Sequence, residues 1–534
     1  MRSIRLCAAI LTFLAFTAWA QGGNKPEQLE WFRDLGFGLF IHWNLDSQLG
    51  VVISHSMVGA SDDYLKRYVE ELPRTFNPRK FNAQDWAVLA KLAGVKYVVF
   101  TTKHHSGFTM FPTATTDFNV MNTPFHRDVT GDVLSAFREQ GIAPGVYFSP
   151  DDFWWLYKNG KTIQRGVSEV QPSHNPGLLQ HDQAQVREIL THYAPIDVIF
   201  FDGEADDLRK LAWELNPNIV VTRGAIQTPE QYVPGVPIEG AWESCITMGT
   251  AWQYQPQNEI YKSGGQLISL LVETRAKGGN LLLNIGPKPD GELAIEQEER
   301  LRELALWMFV NSEAIYGVRP WVITNEQDLW ITKKKDADTI YVVVKEKEPW
   351  KRGTWKDIVV RSAKAGPETQ VSVLGQNDKI LEYRDVVPKT TWKQQSDGLH
   401  IRAMHAQRLQ DNSKWPNPVV LKVTSVKPAL TPPQVLTSGA KWSGSVATLS
   451  GELKEMGNAP TLEVGFEYRL MGAGLDVNER NTAWTATPLL KRSAPGAFST
   501  TVSFLRAGET YEYRAIVKHP LLTLYGAEKR FTTK

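Results

Sequence analysis

One aspartate, Asp202, lies at a position in the sequence that is typical of a catalytic carboxylate. Asp202 comes directly after the apolar run Ile199–Phe201 and directly before Gly203. A carboxylate at the mouth of a buried strand is partly desolvated and rigidly held, which suits a nucleophile or a base. Aspartate is equally common as the residue that caps the start of a following helix. Taken alone, the position predicts catalysis or capping with equal weight.

Histidines end two further apolar runs. His42 ends the first of them, and His104 and His105 follow the run Tyr97–Thr102. Neighbouring residues point to opposite sides within a strand, but at the end of a strand both can reach one cleft. Imidazole nitrogens there could hydrogen-bond the hydroxyl groups of a sugar, although a single histidine such as His42 is more often part of a core. Adjacent histidines differ from the His-x-His pattern of barrel metallohydrolases, and we predict neither a metal nor another cofactor.

A second carboxylate would give this cleft the chemistry of glycoside hydrolysis. One acid attacks the sugar or activates water, and the other protonates the leaving oxygen, with roughly 5 Å between them in retaining enzymes. The candidates for a partner of Asp202 are Glu204, Glu230, Glu239 and Glu243. Glu230 lies in the irregular segment 227–231, whereas Glu243 follows Trp242 in an apolar run. Burial in such a run would raise the pKa of Glu243.

Short apolar runs alternate with helical patterns over residues 21–320. The runs are Phe37–His42, Tyr97–Thr102, Pro144–Ser149, Val198–Asp202, Ile219–Arg223, Ala241–Cys245 and Leu281–Ile285. Such alternation is typical of a parallel sheet covered by helices on both faces, and seven runs favour an α/β fold of the (β/α)8-barrel type. An eighth strand is not evident. These barrels carry their chemistry at the carboxyl ends of the strands, where we place Asp202, Arg223 and Glu243.

The character of the chain changes at Trp321. Short strand patterns separated by turns replace helical periodicity, which predicts a β-sandwich over residues 321–426. The proline-bearing segment 427–433 then reads as a linker. Further short strands predict a fibronectin type III-like sandwich within residues 427–534.

The first twenty residues have the pattern of a signal peptide. Arg2 and Arg5 precede the apolar run Leu6–Ala18, and Ala18 and Ala20 are small residues at the cleavage positions. We therefore expect export, to the periplasm or the medium. No later segment reaches the roughly 18 apolar residues of a membrane span, so no membrane partner is expected after cleavage.

The composition of the chain limits the classes of binding partner that we expect. The formal net charge is +1, so nothing points to nucleic acid or to an anionic membrane. Eighteen tryptophans suit a protein that stacks indoles on sugar rings, although large domains also bury tryptophan. Cys245 is the one cysteine left once Cys7 is removed with the signal peptide, and it reads as a packed, inert thiol.

Several stretches, taken in order, carry a resemblance to a known family. They are Gly38–Trp43, Tyr97–His105, Phe200–Gly203, Trp242–Cys245, Gly278–Pro287 and Glu313–Gly317. In these stretches the barrel region resembles the family 29 glycoside hydrolases, the α-L-fucosidases. The resemblance implies an exo-acting, retaining enzyme that releases terminal α-L-fucose through a glycosyl-enzyme ester. The implied partner is a fucosylated oligosaccharide or polysaccharide.

The resemblance also implies roles for individual residues. Asp202 matches the family nucleophile. The residues that are similar to sugar contacts of the family are His42, His104, His105, Tyr147, Arg223 and Trp242. The family places its acid/base on a variable loop, so Glu230 is the predicted acid/base and Glu243 the alternative.

The sequence departs from the family at the sugar site. Phe200 stands where tryptophan is frequent, and Ser106 where a carboxylate is frequent. His55 lies where a Glu-Trp pair commonly contacts fucose, so the resemblance implies that His55 takes the place of this pair as a sugar contact. It also implies that Phe200 packs against the methyl group of the sugar. These departures leave open a related sugar such as an α-L-galactoside or a sulfated fucose. A catalytically inactive carbohydrate-binding protein is the alternative from another class.

Overall fold

The computed structural model describes residues 23–345, 350–377, 387, 389–406, 417–471, 483–520 and 522–533. The predicted signal peptide of residues 1–20 lies outside this part of the chain. Among the described residues, no helix combines the length and the apolar character needed to cross a membrane.

Seven parallel strands form one curled sheet in the first half of the chain. They are β1 (Phe37–Ile41), β2 (Tyr97–Lys103), β3 (Gly145–Phe148), β4 (Val198–Phe201), β5 (Val220–Val221), β6 (Glu243–Thr247) and β7 (Asn280–Ile285). Their order across the sheet is β5-β4-β3-β2-β1-β7-β6. All of their residues are buried, as expected of a parallel sheet with both faces covered. The predicted parallel α/β sheet is confirmed as a seven-stranded half-barrel.

Nine helices of the described chain connect or flank these strands. They are α1 (Pro26–Leu35), α2 (Asp62–Glu70), α3 (Ala83–Leu92), α4 (Val129–Glu139), α5 (Phe153–Lys158), α6 (Pro176–His192), α7 (Asp206–Leu215), α8 (Gly264–Ala276) and α9 (Ile295–Asn311). Single-turn 3-10 helices lie at Leu45–Gln48, His55–Met57, Leu72–Thr75, Val120–Asn122, Ser168–Val170, Pro172–His174 and Ser312–Ala314. The helices cover the outer face of the sheet, where Val186 and Leu190 of α6 pack on Ile199 of β4.

The inner face of the curled sheet has a separate core. Phe40, Val99, Tyr147, Phe200 and Leu282 pack together there. Three aromatic and two aliphatic side chains therefore fill the space that the sheet encloses, and they support the residues at the carboxyl ends of the strands.

The segment between β5 and β6 lies beside β6 rather than in a free loop. Isolated parallel bridges join Gln227 to Trp242 and Glu230 to Cys245. The backbone N–H of Cys245 donates to Pro229 O at 3.0 Å, and that of Gln231 donates to Cys245 O at 2.9 Å. The segment 227–231 thus covers the open edge of β6.

Two predicted strands have different bounds in the structure. The run Ile219–Arg223 forms a strand only at Val220–Val221, and the run Ala241–Cys245 forms a strand that starts at Glu243. Glu243 therefore begins β6, and the expectation that it ends a strand was wrong.

Antiparallel sheets make up the rest of the chain. Their strands are β8 (Val318–Glu326), β9 (Leu329–Lys334), β10 (Thr339–Val344), β11 (Trp355–Val360), β12 (Ala363–Val373), β13 (Thr391–Gln395), β14 (Gly398–Met404), β15 (Val419–Pro428), β16 (Gln434–Ser443), β17 (Val446–Glu455), β18 (Leu462–Leu470), β19 (Thr485–Ala486), β20 (Leu490–Arg492), β21 (Gly496–Val502), β22 (Thr510–Lys518), β23 (Thr523–Tyr525) and β24 (Lys529–Thr532).

These strands form two groups with separate cores. A five-stranded sheet, β12-β15-β10-β9-β8, and a three-stranded sheet, β11-β14-β13, share one core. A three-stranded sheet, β16-β17-β21, and a sheet built on β18 and β22 share another. Because β15 continues to Pro428 and β16 starts at Gln434, the connection between the groups is residues 429–433.

Candidate active site

Asp202 stands directly after β4. Its backbone N–H donates to Phe148 O at 3.1 Å, so the pairing of β3 and β4 extends to this residue. Its Oδ2 accepts a hydrogen bond from Tyr147 Oη at 2.8 Å, and its Oδ1 accepts one from Arg223 Nη1 at 3.0 Å. The following helix begins only at Asp206, so Asp202 is not its cap. The carboxylate is held by side chains of the site.

The surroundings of Asp202 keep it ionised. Burial would raise its pKa, but the guanidinium groups of Arg223 and Arg165 outweigh burial, and the pKa lies below its usual value. Arg165 Nη2 is 3.8 Å from Asp202 Oδ1. At neutral pH the group is therefore a carboxylate, the form that a nucleophile needs.

His42 is fixed in one tautomer by an amide. Its Nδ1 lies 2.6 Å from Asn284 Oδ1, while Asn284 Nδ2 donates to Trp252 O at 2.7 Å. Because the amide oxygen can only accept, His42 Nδ1 carries the proton and Nε2 is left as an acceptor. Burial lowers the pKa of His42 to about 4, so this ring is neutral near pH 7.

His104 and His105 lie side by side and are tied to hydroxyl groups. His104 Nδ1 is 2.8 Å from Ser54 Oγ, and His105 Nδ1 is 2.5 Å from Ser149 Oγ. His105 Nε2 is 3.5 Å from Asp202 Oδ2. Burial lowers the pKa of both imidazoles well below the usual value. Both neutral rings can therefore offer hydrogen bonds next to the carboxylate.

His55 lies at the surface of the histidine cluster, whereas Phe200 lies in its interior. His55 is exposed, and its ring centre lies 5.4 Å from that of His105, which places it at the rim. Phe200 is buried beneath Arg223, whose guanidinium carbon lies 4.6 Å from the ring centre. Phe200 also stacks on Tyr147, so it supports the residues that bind Asp202.

Glu230 binds the same guanidinium as Asp202. Arg223 Nη2 donates to Glu230 Oε2 at 2.7 Å, while Nη1 donates to Asp202 Oδ1. Both carboxylates therefore contact one guanidinium group, which places them on the same side of the site. The side chain of Glu230 is 44% exposed, whereas that of Asp202 is 21% exposed. One acid is enclosed and the other faces the entrance.

Glu243 and Trp242 are both buried in the structure. Glu243 is wholly buried at the amino end of β6, where its Oε2 accepts from Tyr97 Oη at 2.8 Å. Burial raises its pKa to about 7, as predicted, and Glu243 lies at the first position of β6. Trp242 is buried against Gly279, which precedes β7. The predicted roles of Glu243 as the alternative acid and of Trp242 as a sugar contact stay predictions, and the burial of both side chains argues against them.

The comparison with known families decides the class. The family model described as "Alpha-L-fucosidase" matches residues 15–313, more than half of the chain. The chain belongs to the α-L-fucosidase family. The predicted family and the predicted glycosidase activity are confirmed.

The chain aligns with most of the length of its curated relatives. The chain is 30% identical over 360 residues to a putative α-L-fucosidase of Caenorhabditis elegans, covering 59% of this chain and 73% of that protein. It is 29% identical over 410 residues to an α-L-fucosidase of Branchiostoma floridae, covering 67% of this chain and 86% of the relative.

Solved structures of fucosidases are similar in fold. Isoenzyme 1 of Paenibacillus thiaminolyticus is 27% identical with a TM-score of 0.61, covering 75% of this chain and 99% of the other. The Thermotoga maritima enzyme in complex with fucose is 26% identical with a TM-score of 0.60, covering 75% and 100%.

Residues of this fucosidase site that the sequence did not reveal come mainly from loops. Arg165 follows α5 in a stretch without periodicity and donates through Nε to Asp151 Oδ2 at 2.5 Å. Trp252, in the loop after β6, packs with its ring centre 5.0 Å from that of His42. Asn284 was within a recognised motif, but only its contact with His42 shows what it does.

One trio of the described residues could also hold a metal ion. Ligand atoms of His104, His105 and Asp202 all lie within 4.8 Å of one another. Imidazole and carboxylate are ordinary zinc ligands. The absence of a metal requirement therefore stays a prediction that a chelator must test.

Lys103 forms a buried charge network directly beneath the paired histidines. Its Nζ lies 2.7 Å from Asp182 Oδ1 and 3.2 Å from Asp152 Oδ2, with all three side chains fully buried. Burial raises the pKa of Asp182 to about 8, which Lys103 only partly offsets. The pKa of Asp152 is lowered, because Lys103 and His181 outweigh the effect of burial.

We expect Lys103→Met to destabilise this part of the chain strongly. The substitution leaves Asp152 buried without its lysine partner and with only His181 beside it. Loss of one partner of a buried ion pair costs about 3–5 kcal/mol of unfolding free energy. Calorimetry of the thermal transitions measures the effect. Lys91→Met, which removes an exposed lysine of α3, is the control and should leave the transitions in place. Equal midpoints for the two variants would contradict the expectation.

We expect Arg165→Leu to move the acid limb of the pH–rate profile to higher pH. Arg165 lowers the pKa of Asp202, so its loss raises that pKa, and the carboxylate is then protonated over more of the acidic range. Activity should fall more at acidic than at neutral pH, measured as kcat/KM on a nitrophenyl α-L-fucoside. Lys161→Leu removes a cation from the same loop and should leave the limb unmoved. An acid limb unchanged in Arg165→Leu would contradict the role of this cation.

Proposed function

We propose that this chain is an exo-acting, retaining α-L-fucosidase in which Asp202 is the nucleophile and Glu230 the acid/base. The observation that carries the proposal is the sharing of Arg223 by the two acids. One acid is enclosed and ionised, as an attacking group must be, and the other faces solvent, where a leaving group and water can reach it.

The proposed reaction has two displacements. In the first, an oxygen of Asp202 forms a bond to the anomeric carbon while the bond to the leaving oxygen breaks, and Glu230 gives that oxygen a proton. In the second, Glu230 takes a proton from water, the water oxygen bonds to the anomeric carbon, and the ester to Asp202 breaks. Two inversions leave the configuration of the sugar unchanged.

The neutral histidines supply the sugar-binding groups of the proposal. His42 offers an acceptor nitrogen, and His104 and His105 have their Nδ1 atoms tied to serines, which leaves Nε2 of each for a sugar hydroxyl. A neutral sugar fits neutral rings, which keep their hydrogen-bonding capacity without adding charge. Terminal fucose on a glycan is therefore the proposed substrate, in line with the fucose bound by the similar Thermotoga maritima enzyme.

Three finer features belong to the same proposal. The bridges of segment 227–231 to β6 support a (β/α)8-type barrel in which this segment takes the eighth place. The two cores of antiparallel sheets support two β-sandwich domains, the second of fibronectin type III type. The signal-peptide pattern of residues 1–20 supports export to the periplasm or the medium.

Hydrolysis of a nitrophenyl α-L-fucoside tests the proposed activity. We expect turnover with release of α-L-fucose as the first product, seen by NMR before mutarotation, and no effect of EDTA. The matching α-L-galactoside, which adds one hydroxyl at the methyl group, should be a poorer substrate. A β-configured first product would contradict retention, loss of activity in EDTA would favour a metal, and no turnover would favour a carbohydrate-binding protein.

A further inference from the structure

The loop after β6 separates the candidate active site from a second cavity. Trp252 of this loop contacts His42 on the inner side. The chain then passes Gly286, where an added Cβ would lie 2.5 Å from the backbone nitrogen of Tyr254, and Pro256 packs on Gly50. The segment 252–256 is therefore a wall between the loops that follow β1 and β7.

A groove of about 950 Å³ lies against the residues that continue this wall. It is lined by the segment 254–261, the start of α3 and the residues 291–300 that lead into α9. Its volume is within the roughly 300–1,000 Å³ of pockets that hold small ligands. Like the candidate active site, it is bounded by the loops after β6 and β7.

The groove combines apolar surface with hydrogen-bonding groups. Ile260 and Ile295 line it while being 70% and 62% exposed, and the rings of Tyr254 and Tyr261 are partly exposed. Exposed isoleucines next to tyrosines suit the C–H faces of sugar rings, because an apolar contact there removes both surfaces from water. Asn258, also in the lining, offers the amide groups that sugar hydroxyls bind.

The charged side chains of the groove disfavour the binding of an anionic polysaccharide. The lining has five carboxylates, Asp85, Glu259, Glu292, Glu296 and Glu298, and three cations, Lys80, Lys288 and Arg300. Lys80 and Lys288 are already paired with Glu292 at 3.1 and 2.8 Å. A sulfated or otherwise anionic polymer would meet repulsion from the remaining carboxylates, whereas a neutral glycan would find acceptors for its hydroxyl groups.

We propose that this groove, outside the Trp252 wall, is a second, non-catalytic site for a neutral glycan chain. This proposal rests on the proposed function, because the glycan bound in the groove would be the polymer that carries the terminal fucose. Binding there would hold the polymer next to the cleft of Asp202 and raise its effective concentration at that cleft.

The double variant Ile260→Ser with Ile295→Ser tests the site. With neutral fucosylated xyloglucan as substrate we expect kcat/KM to fall roughly tenfold, the equivalent of about 1.4 kcal/mol. With a nitrophenyl α-L-fucoside, which lacks the polymer proposed to occupy the groove, kcat/KM should be unchanged. Phe309→Ser is the matched control, because Phe309 is an exposed apolar residue of α9 outside the groove lining.

Binding without catalysis separates the groove from the proposed function. In an Asp202→Ala background, affinity electrophoresis in defucosylated xyloglucan should show retardation that the double isoleucine variant loses and the Phe309 variant keeps. Equal retardation of both variants would overturn the site even if the fucosidase activity is established. Salt-sensitive retardation in a sulfated glycan, with none in xyloglucan, would overturn the choice of a neutral ligand. Failure of the intact chain to hydrolyse the nitrophenyl fucoside would count against the catalytic proposal alone.

Discussion

Asp202→Ala is expected to lower kcat/KM by on the order of 10⁴-fold or more, because the variant has no group to form the ester. The loss should not depend on the leaving group. Added azide should restore part of the turnover and yield β-L-fucosyl azide, since a single displacement at the α-configured carbon inverts it. Measurements of kcat/KM with and without azide, and NMR of the product, check both points.

Asp197→Ala is the control for this experiment. Asp197 lies at the amino end of the same strand, directly before β4, and is partly buried. Its removal perturbs the same element without touching the site, so activity should persist. Both variants should keep the far-ultraviolet spectrum of the intact chain. An Asp202→Ala protein that is folded and fully active would remove Asp202 from the reaction.

The position of Asp202 could be predicted from sequence because the carboxyl ends of parallel strands meet at one edge of a sheet. Apolar runs identify such strands, and the polar residue that follows each run then belongs to the common edge. This reasoning also brought His104 and His105 to the site, since they follow β2 directly. The prediction succeeded where the end of an apolar run and the end of a strand coincide.

The error at Glu243 has the same origin. The apolar run Ala241–Cys245 shows that a strand is near, but it does not fix which residues pair. In the structure Glu243 pairs with Asn280 at the start of β7, and pairing continues to Thr247. A shift of two residues in the bounds of the strand therefore places this carboxylate at the start of β6.

Arg165 could not be predicted for a different reason. It lies between α5 and α6 in a stretch whose residues show no spacing of two or 3.6, so nothing in the sequence fixes its direction. Its contacts with Asp151, which follows β3, and with Asp202 bring the guanidinium to the site. Loop residues are placed by such tertiary contacts, and these are not visible as a local pattern.

Glu230→Ala is expected to lower kcat by roughly 10²–10⁴-fold on substrates with poor leaving groups, the usual contribution of general acid catalysis. The loss should be smaller with a nitrophenyl fucoside, because nitrophenolate leaves without protonation. Azide should speed the second displacement and yield α-L-fucosyl azide, since it attacks the ester on Asp202 and inverts the carbon a second time. The opposite configurations of the two azides distinguish the acid/base from the nucleophile.

The same experiment distinguishes Glu230 from Glu243 as the acid/base. Glu243→Gln should give no azide product, because the residue is wholly buried against Tyr97 and water or azide cannot reach it. Glu230, in contrast, shares Arg223 with Asp202, so its loss also removes one partner of the guanidinium that holds the nucleophile. Glu230→Gln retains a hydrogen-bond acceptor for Arg223 and should therefore separate lost proton transfer from a displaced Arg223. If Glu230→Gln recovers the activity that Glu230→Ala loses, the residue only positions Arg223 and another group must protonate the leaving oxygen.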